Sequence, residues 1–331
     1  DTYGEDILVD DQGNVYVSGY RWGPFIDSDI LVLKYDQSGT FQWMAEFAGA
    51  GLNNDFPNAM DIDADGNIII GGYSYNASLD ADFATIKIDP SGTVLWDAVF
   101  NGSGYANDWI VDLSIHADGS VFVGGTTRSE DTNDDYAIIK YAPDGTMVFT
   151  TLFDGITSTD ILTSIALDPA GLVYATGVSQ HYDGFIDYFT FKLDSAGAEA
   201  WSNRFGLPGS DEGDSWAADI VVDTLNNVTV TGVSYIDVYG FDYVTVQYDS
   251  SGTQSWVSRY SSTMNNGYDE ATCAVLDHEN NVIIAGLTAS ADGTDDIATV
   301  KYDTSGTELW AHQFAGGEGS DDVAFYLAVD D

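Results

Sequence analysis

The segment Asp61-Ile-Asp63-Ala-Asp65-Gly66-Asn67 carries carboxylates at alternate positions ahead of a glycine, the spacing of the first ligands and the sharp turn of a calcium loop. The position at which such a loop closes with glutamate is Gly72, so calcium is the one cofactor the sequence offers and an ordinary hairpin is the competing reading. A second set of residues suits sugar rings. Trp22, Tyr75, His181, Tyr182, Phe185, Trp216, Tyr235 and Tyr239 put rings near connecting segments, where the CH face of a sugar stacks, and Asp214 and Asp269 add acceptors for its hydroxyls. The competing reading for these is that many cover sheet edges. A glycosidase needs two placed carboxylates, and Glu212, Asp214, Asp269 and Glu270 stand nearest that role, but 54 acidic residues make such neighbours common. His116, His278 and His312 come with no nucleophile motif, and zinc-ligand spacing is absent, so no catalytic residue is assigned.

These residues ride on a repeat of about fifty-three residues present six times. Its signature is a short apolar run ending in glycine: GNVYVSGY at 13–20, GNIIIGGY at 66–73, GSVFVGGT at 119–126, GLVYATGV at 171–178, NNVTVTGV at 226–233 and NNVIIAGL at 280–287. Within each copy apolar residues alternate every second position in four short runs rich in Val, Ile, Tyr, Phe and Thr, and no stretch has helical periodicity. In the second copy the runs predict strand A near Ala59–Ala64, B near Ile68–Tyr73, C near Phe83–Asp89 and D near Val94–Phe100. Four antiparallel strands recurring at this period predict an all-β protein, a β-propeller of four-stranded blades occupying residues 1–331 as one domain. Six blades is the first expectation and seven the alternative, because residues 321–331 repeat the strand A segment that residues 1–11 already supply. The stretch is equally readable as an excerpt of a longer array.

Turn chemistry separates scaffold from variation. A-to-B connections read Asp-x-x-Gly-Asn (Asp10 to Asn14, Asp63 to Asn67) and C-to-D connections read Asp-x-Ser-Gly-Thr (Asp36 to Thr40, Asp249 to Thr253, Asp303 to Thr307). Asp folds its carboxylate onto nearby amides and Gly takes the positive φ of a tight hairpin. Three spacings are constant in every copy: nine residues from the A–B turn Asp (His116 in the third copy) to the signature Gly, ten from there to the Asp opening strand C, and fourteen on to the strand D aromatic. Only the D-to-A connection varies, from eleven to thirteen residues, so the face carrying the B–C and D–A loops is the candidate working surface. The fourth and fifth copies combine the longest D–A loops with the densest B–C aromatics, which places the expected ligand patch there.

The pattern Val-Asp-x-x-Gly-Asn, Val-Tyr-Val-x-Gly, then Asp-Tyr-x-x-x-Lys-Tyr-Asp-x-Ser-Gly-Thr and a Trp resembles the bacterial SBBP repeat, the so-called seven-bladed β-propeller repeat of secreted and surface proteins. The resemblance spans essentially the whole chain and implies an extracellular propeller module, often part of a longer multidomain protein, with no catalytic residues to carry over. It implies recognition, adhesion or assembly; the alternatives are a carbohydrate-active enzyme and a structural module that joins neighbours by strand addition. The Asp-x-Ser-Gly-Thr-x-x-Trp segments also resemble the sialidase Asp-box and the tryptophan-docking repeats of quinoprotein propellers, both of which are blade-packing devices.

Composition narrows the partners. Nine basic against 54 acidic residues leave a net charge of −45, which excludes nucleic acid and disfavours anionic membranes. A glycan or a cell-surface protein, self-association and further domains remain as partners, and export to the cell surface or medium is the expected location. The lone Cys273 cannot form an internal disulfide and reads as a small buried side chain. All five lysines, Lys34, Lys87, Lys140, Lys192 and Lys301, share one strand C position, with Gln247 there in the fifth copy, which predicts pairing with a carboxylate. Asp outnumbers Glu 45 to 9, and two Asp rings recur: Asp55, Asp108, Asp160, Asp214, Asp269 and Asp322 in the D–A loops, and Asp29, Asp82, Asp135, Asp187, Asp242 and Asp296 opening strand C. Loop pinning through backbone amides is the expectation for both.

Overall fold

The computed structural model describes all residues except 23–27, 50–52, 103–106, 129–133, 154–158, 181–183, 207–212, 237–239, 263–266, 292, 318 and 331. The described residues hold no helix, and none therefore long and apolar enough to cross a membrane. They form six sheets, each a sequential antiparallel A–B–C–D meander, in two compact units, Asp1–Leu162 and Thr163–Asp331. This is the propeller-like, all-β arrangement that the repeat predicts.

In the first unit the sheets are β1 (Thr2–Val9), β2 (Val15–Trp22), β3 (Ser28–Tyr35) and β4 (Phe41–Phe47); then β5 (Asp55–Ile62), β6 (Ile68–Tyr75), β7 (Ala81–Ile88) and β8 (Val94–Phe100). The third comprises β9 (Trp109–Ile115), β10 (Val121–Arg128), β11 (Asp134–Tyr141) and β12 (Met147–Phe153). In the second unit they are β13 (Asp160–Leu167), within which the division falls, β14 (Val173–Gln180), β15 (Ile186–Leu193) and β16 (Glu199–Phe205). β17 (Ser215–Val222), β18 (Val228–Ile236), β19 (Gly240–Tyr248) and β20 (Gln254–Tyr260) follow, with the two-residue β21 (Gly267–Tyr268) added parallel to β19. The last sheet is β22 (Glu270–Leu276), β23 (Val282–Ala289), β24 (Asp295–Tyr302) and β25 (Glu308–Phe314). Strand A of the second copy begins four residues before its expected start, because Asp55, Phe56 and Pro57 already pair with Ser74, Tyr73 and Gly72 before the ladder shifts at Asn58. That shift is a β-bulge, and the same irregularity recurs in β1, β9, β17 and β22.

Within each unit, apolar cores lie between consecutive sheets. Tyr16, Ile30, Val32 and Met60 meet Ile68, Ile70 and Ile86 between the first two sheets, and Tyr174, Tyr188, Ile220, Val230 and Val246 do so between the fourth and fifth. Each fully buried Ile or Val contributes about 1.5–3 kcal/mol relative to exposure. Tryptophan docking reinforces the stack: Trp43 Nε1 donates to Pro90 O (2.9 Å), Trp96 to Pro143 O (3.1 Å), Trp201 to Ser250 O (3.3 Å) and Trp256 to Thr304 O (3.2 Å), each in the C–D turn of the following sheet. The glycine of that turn lies flat against the indole, and a Cβ on Gly306 would come within 2.6 Å of Trp256. The Asp-x-Ser-Gly-Thr-x-x-Trp segment is thus a packing device.

The A–B turns take the expected Asx form. Asp63 Oδ1 accepts from Asp65 N (3.0 Å) and Asn67 N (2.8 Å), with Gly66 at φ 79°, and in the last two copies Asn226 and Asn280 take the positive φ instead. In three copies the strand C lysine reaches back to this turn in its own sheet, Lys87 to Asp63 (2.8 Å), Lys192 to Asp168 (3.6 Å) and Lys301 to Asp277 (2.6 Å), whereas Lys34 Nζ donates to Pro90 O (3.3 Å) in the following sheet. In the third sheet His116 replaces the Asp, and Lys140 Nζ lies 4.8 Å over the Phe122 ring. Cys273 is buried and free.

Two classes of carboxylate predict the pH dependence of stability. Burial pushes Asp6, Asp61, Asp82, Asp108, Asp219 and Asp242 above the ordinary carboxylate range. In the turns, burial is outweighed at Asp63 by Asn67 and Lys87 and at Asp277 by Lys301 and Asn281, so both are lowered. A raised acid binds more protons folded than unfolded, so its contribution is complete below the unfolded value and is lost as pH rises through the folded one. A lowered acid contributes above the unfolded value and loses that contribution as pH falls through the folded one. Thermal unfolding in high salt, which screens the net charge, should therefore give a Tm that falls as pH rises from the ordinary carboxylate range toward neutrality, and that falls again as pH drops through the lowered turn carboxylates. Asp219→Asn should flatten the upper limb; an unchanged slope in that variant would remove buried carboxylates as its cause.

Candidate functional site

The end of the sheets where strand B runs out and strand A begins carries aromatic ladders. In the first unit Tyr3 stacks on Tyr20 (5.1 Å between centroids), Tyr20 meets Phe56 edge-on (4.8 Å), Phe56 meets Tyr73 (5.3 Å) and Tyr73 meets Tyr75 (5.8 Å). Trp22, 38% exposed, closes one side against Tyr20 at 6.5 Å. Strand pleating explains the layout: Tyr73 and Tyr75 are two apart on β6 and share a face, and Phe56 faces Tyr73 directly across the β5–β6 ladder.

The ladder leads into a cavity of about 310 Å³ lined by Asn58, Tyr73, Tyr75, Ala81, Asn107 and Trp109. Its two amides are held by backbone: Asn58 Nδ2 donates to Ile110 O (2.7 Å), and Asn107 Oδ1 accepts from Ala81 N (3.1 Å). What remains for a ligand is the acceptor of Asn58 and the donor of Asn107, between rings. Burial raises the Tyr73 phenol, so the wall is neutral at physiological pH. A smaller aromatic group sits in the second unit, where Phe241 contacts Trp216 (5.6 Å), Tyr235 (5.2 Å) and Tyr268 (5.3 Å).

The residues expected at the site divide as follows. Tyr75 lines the cavity, Trp22 borders the ladder, Trp216 and Tyr235 meet at Phe241, and Phe185 is half-buried ahead of β15. His181, Tyr182 and Tyr239 lie outside the described residues. Asp269 is fully buried, its oxygens accepting from Ser262 N (2.8 Å), Thr288 Oγ1 (2.5 Å) and Ala289 N (2.9 Å), so it pins a loop and presents nothing to a ligand. Asp108 does the same with Gly102 N (2.7 Å), Thr127 Oγ1 (2.6 Å) and Arg128 N (3.1 Å). Asp214 stands one position away from this ring: it accepts from Ile186 N (3.0 Å), as Asn107 does from Ala81 N, while Ser215, bonded to Ser234 (2.7 Å), occupies the ring position.

The residues of the calcium-loop reading lie in β5 (Asp61) and in the A–B turn that follows it (Asp63 and Asp65). Asp61 lies in β5 and accepts from Ile62 N (2.8 Å), whereas Asp63 is turned onto Lys87 (2.8 Å) and Asn67 Nδ2 (2.8 Å). A cation already neutralises Asp63, and among the described residues no group of three His, Cys, Asp or Glu side chains is placed to hold a metal. Sequence reasoning missed Asn58, Tyr73, Asn107 and Phe241. Tyr73 hides inside the signature run, and its one clue is that Tyr follows the signature Gly only in the first two copies.

Residues 116–147 match the family model described as "Domain of unknown function (DUF5122) beta-propeller". No curated protein sequence matches the chain. Among solved structures it is similar to virginiamycin B lyase from Staphylococcus aureus, at 11% identity and TM-score 0.51 over 94% of this chain and 83% of that one. It is also similar to an ulvan lyase of a new polysaccharide lyase family, solved bound to a GlcA–Rha3S unit, at 12% identity and TM-score 0.52 over 92% of this chain and 82% of that one. At such identities the likeness is one of fold: the chain is all-β, with a propeller repeat and propeller-like sheets.

Proposed function

We propose that the chain is a non-catalytic recognition module of an exported bacterial protein, of the SBBP-repeat kind, that binds glycan on its B–C and D–A loop face. The observation that carries this reading is the cavity in which Tyr73, Tyr75 and Trp109 surround the amides of Asn58 and Asn107. Rings offer stacking for sugar CH faces, and an amide acceptor and donor match vicinal hydroxyls. The net charge of −45 repels uronic and sulfated polymers, which selects neutral or amino-sugar chains.

Calorimetric titration with cello-, xylo- and chito-oligosaccharides tests it. One of these should bind in the micromolar to millimolar range, and Trp109→Ala or Tyr75→Ala should weaken it at least about tenfold, the scale of one stacking contact in a desolvated site. Full affinity in both variants would remove the cavity from consideration. Release of new reducing ends or unsaturated sugars from any of these chains would replace the binding reading with the enzymatic one.

A further inference from the structure

We propose that the junction between the fifth and sixth sheets is a second binding site, one that takes a small quaternary ammonium cation. It occupies the place in the repeat that the cavity beside Tyr73 occupies between the second and third sheets. Tyr235 faces Phe241 across β18 and β19 as Tyr75 faces Ala81 across β6 and β7, and Asp269 N donates to Phe241 O (2.8 Å) as Asp108 N does to Ala81 O (2.6 Å). Glu270 and Trp109 each pair with the residue that follows the signature glycine, Leu287 and Thr126. Phe241, Tyr268 and Glu270 therefore stand where Ala81, Asn107 and Trp109 stand in the first unit. These three exchanges turn a cavity with neutral amides into a group of rings beside a carboxylate.

Phe241 meets Trp216, Tyr235 and Tyr268 at 5.2–5.6 Å with the planes inclined by 37–63°, so the four rings are splayed rather than stacked. Trp216, Tyr235 and Phe241 are half-buried and Tyr268 is 41% exposed, which leaves ring surface within reach of solvent. Glu270 Oε2 accepts from Tyr268 Oη (2.9 Å), and this bond fixes a negative charge beside the rings. Lys87, Lys192 and Lys301 each meet a carboxylate of their own turn, whereas among the described residues no Lys, Arg or His pairs with Glu270. The rings thus adjoin an anion that lacks a counter-ion.

Aromatic faces attract a cation, and the gain survives only where the cation gives up water cheaply. A quaternary ammonium does so, because its charge is spread over methyl groups that donate no strong hydrogen bond. A primary ammonium or a metal ion would lose more hydration than half-exposed rings and one carboxylate return. A sugar finds less here than in the first unit, since the Asn107 amide has no counterpart beside Glu270. The net charge of −45 draws cations and opposes phosphate, which selects a free cation over a phosphate-linked one.

Calorimetric titration with choline chloride, in about 0.15 M NaCl to screen general attraction to the acidic surface, tests this. Choline should bind with a Kd of about 1 mM or below, and 3,3-dimethyl-1-butanol, its neutral isostere with carbon in place of nitrogen, at least about tenfold more weakly. Tyr268→Asn, which copies the residue that the repeat carries at Asn107 and leaves Glu270 in place, should weaken choline at least about tenfold. Glu270→Gln should weaken it up to about fivefold, the scale of one partly solvated charge. Tyr75→Ala, in the first-unit cavity, should leave choline affinity unchanged, so the cation site and the glycan cavity fail or stand separately. No binding of choline, or equal binding of the isostere, would overturn the proposal. Full affinity in Tyr268→Asn would do the same, by placing the cation elsewhere on the acidic surface. Circular dichroism showing wild-type strand content in both second-unit variants guards against unfolding as the cause.

Discussion

Lys87→Met is expected to lower the unfolding free energy by about 3 kcal/mol or more. Lys87 and Asp63 have side chains only 5% and 4% exposed and meet at 2.8 Å. Removing the ammonium leaves a carboxylate buried without its cation, and that uncompensated charge is the costly step, rather than the loss of the pair's mutual attraction. Asn67 Nδ2 and the turn amides still hold Asp63, which keeps the loss from becoming larger. Lys87→Met combined with Asp63→Asn should recover at least half of the deficit, because Asn retains an acceptor for the turn amides and carries no charge. Lys140→Met is the contrasting case: the A–B turn of its sheet holds His116 in place of Asp, and its ammonium rests over the Phe122 ring, an interaction worth about 1 kcal/mol. Urea unfolding of the three variants decides the matter. Equal losses at Lys87 and Lys140 would mean that the repeat position, and not the buried pair, sets the cost.

Gly72→Ala should be at least as damaging, exceeding about 3 kcal/mol, the upper end for overpacking. A Cβ on Gly72 would stand 2.0 Å from the Phe56 carbonyl oxygen, which the bulge at Asn58 drives into the β6 backbone. Gly19, Gly125, Gly232 and Gly286 face the same obstruction, at 1.9–2.1 Å from the carbonyls of Tyr3, Trp109, Trp216 and Glu270. Backbone cannot swing aside as a side chain can. Gly71→Ala is the comparison, since its Cβ would meet the Ile110 Cγ2 methyl at 2.9 Å and Leu113 Cδ2 at 3.2 Å, side-chain atoms rather than backbone and farther off than the Phe56 carbonyl. Its cost should stay within about 1–2 kcal/mol. Comparable denaturation midpoints for the two alanine variants would show that the bulge relaxes, and would remove the strand A carbonyl as the reason for the signature glycine.

The strands, their antiparallel order and the Asx turns were legible because alternation, Asp-x-x-Gly and Asp-x-Ser-Gly-Thr are local signals that act within one hairpin. The lysine partner was half legible. A single charged position in each repeat announces a structural pair, but whether the carboxylate waits in the same sheet or the next depends on the pleat, and the third copy's His116 could not be weighed until Phe122 was seen beneath Lys140. The site was the least legible part. Asp269 looked available by spacing, yet Ser262 N, Thr288 Oγ1 and Ala289 N already claim both its oxygens. Tyr73 and Phe241 looked like scaffold, and they anchor the aromatic groups.

By itself, then, the sequence determined the repeat unit, its four strands, its turn geometry and the acidic, aromatic character of one loop face, since each of these follows from neighbours along the chain. Tertiary structure alone decided which carboxylates are occupied and why the signature glycine admits no side chain. Those outcomes depend on where a bulged carbonyl, a buried ammonium or an indole from another strand arrives, and such distances are set by packing between segments some fifty residues apart.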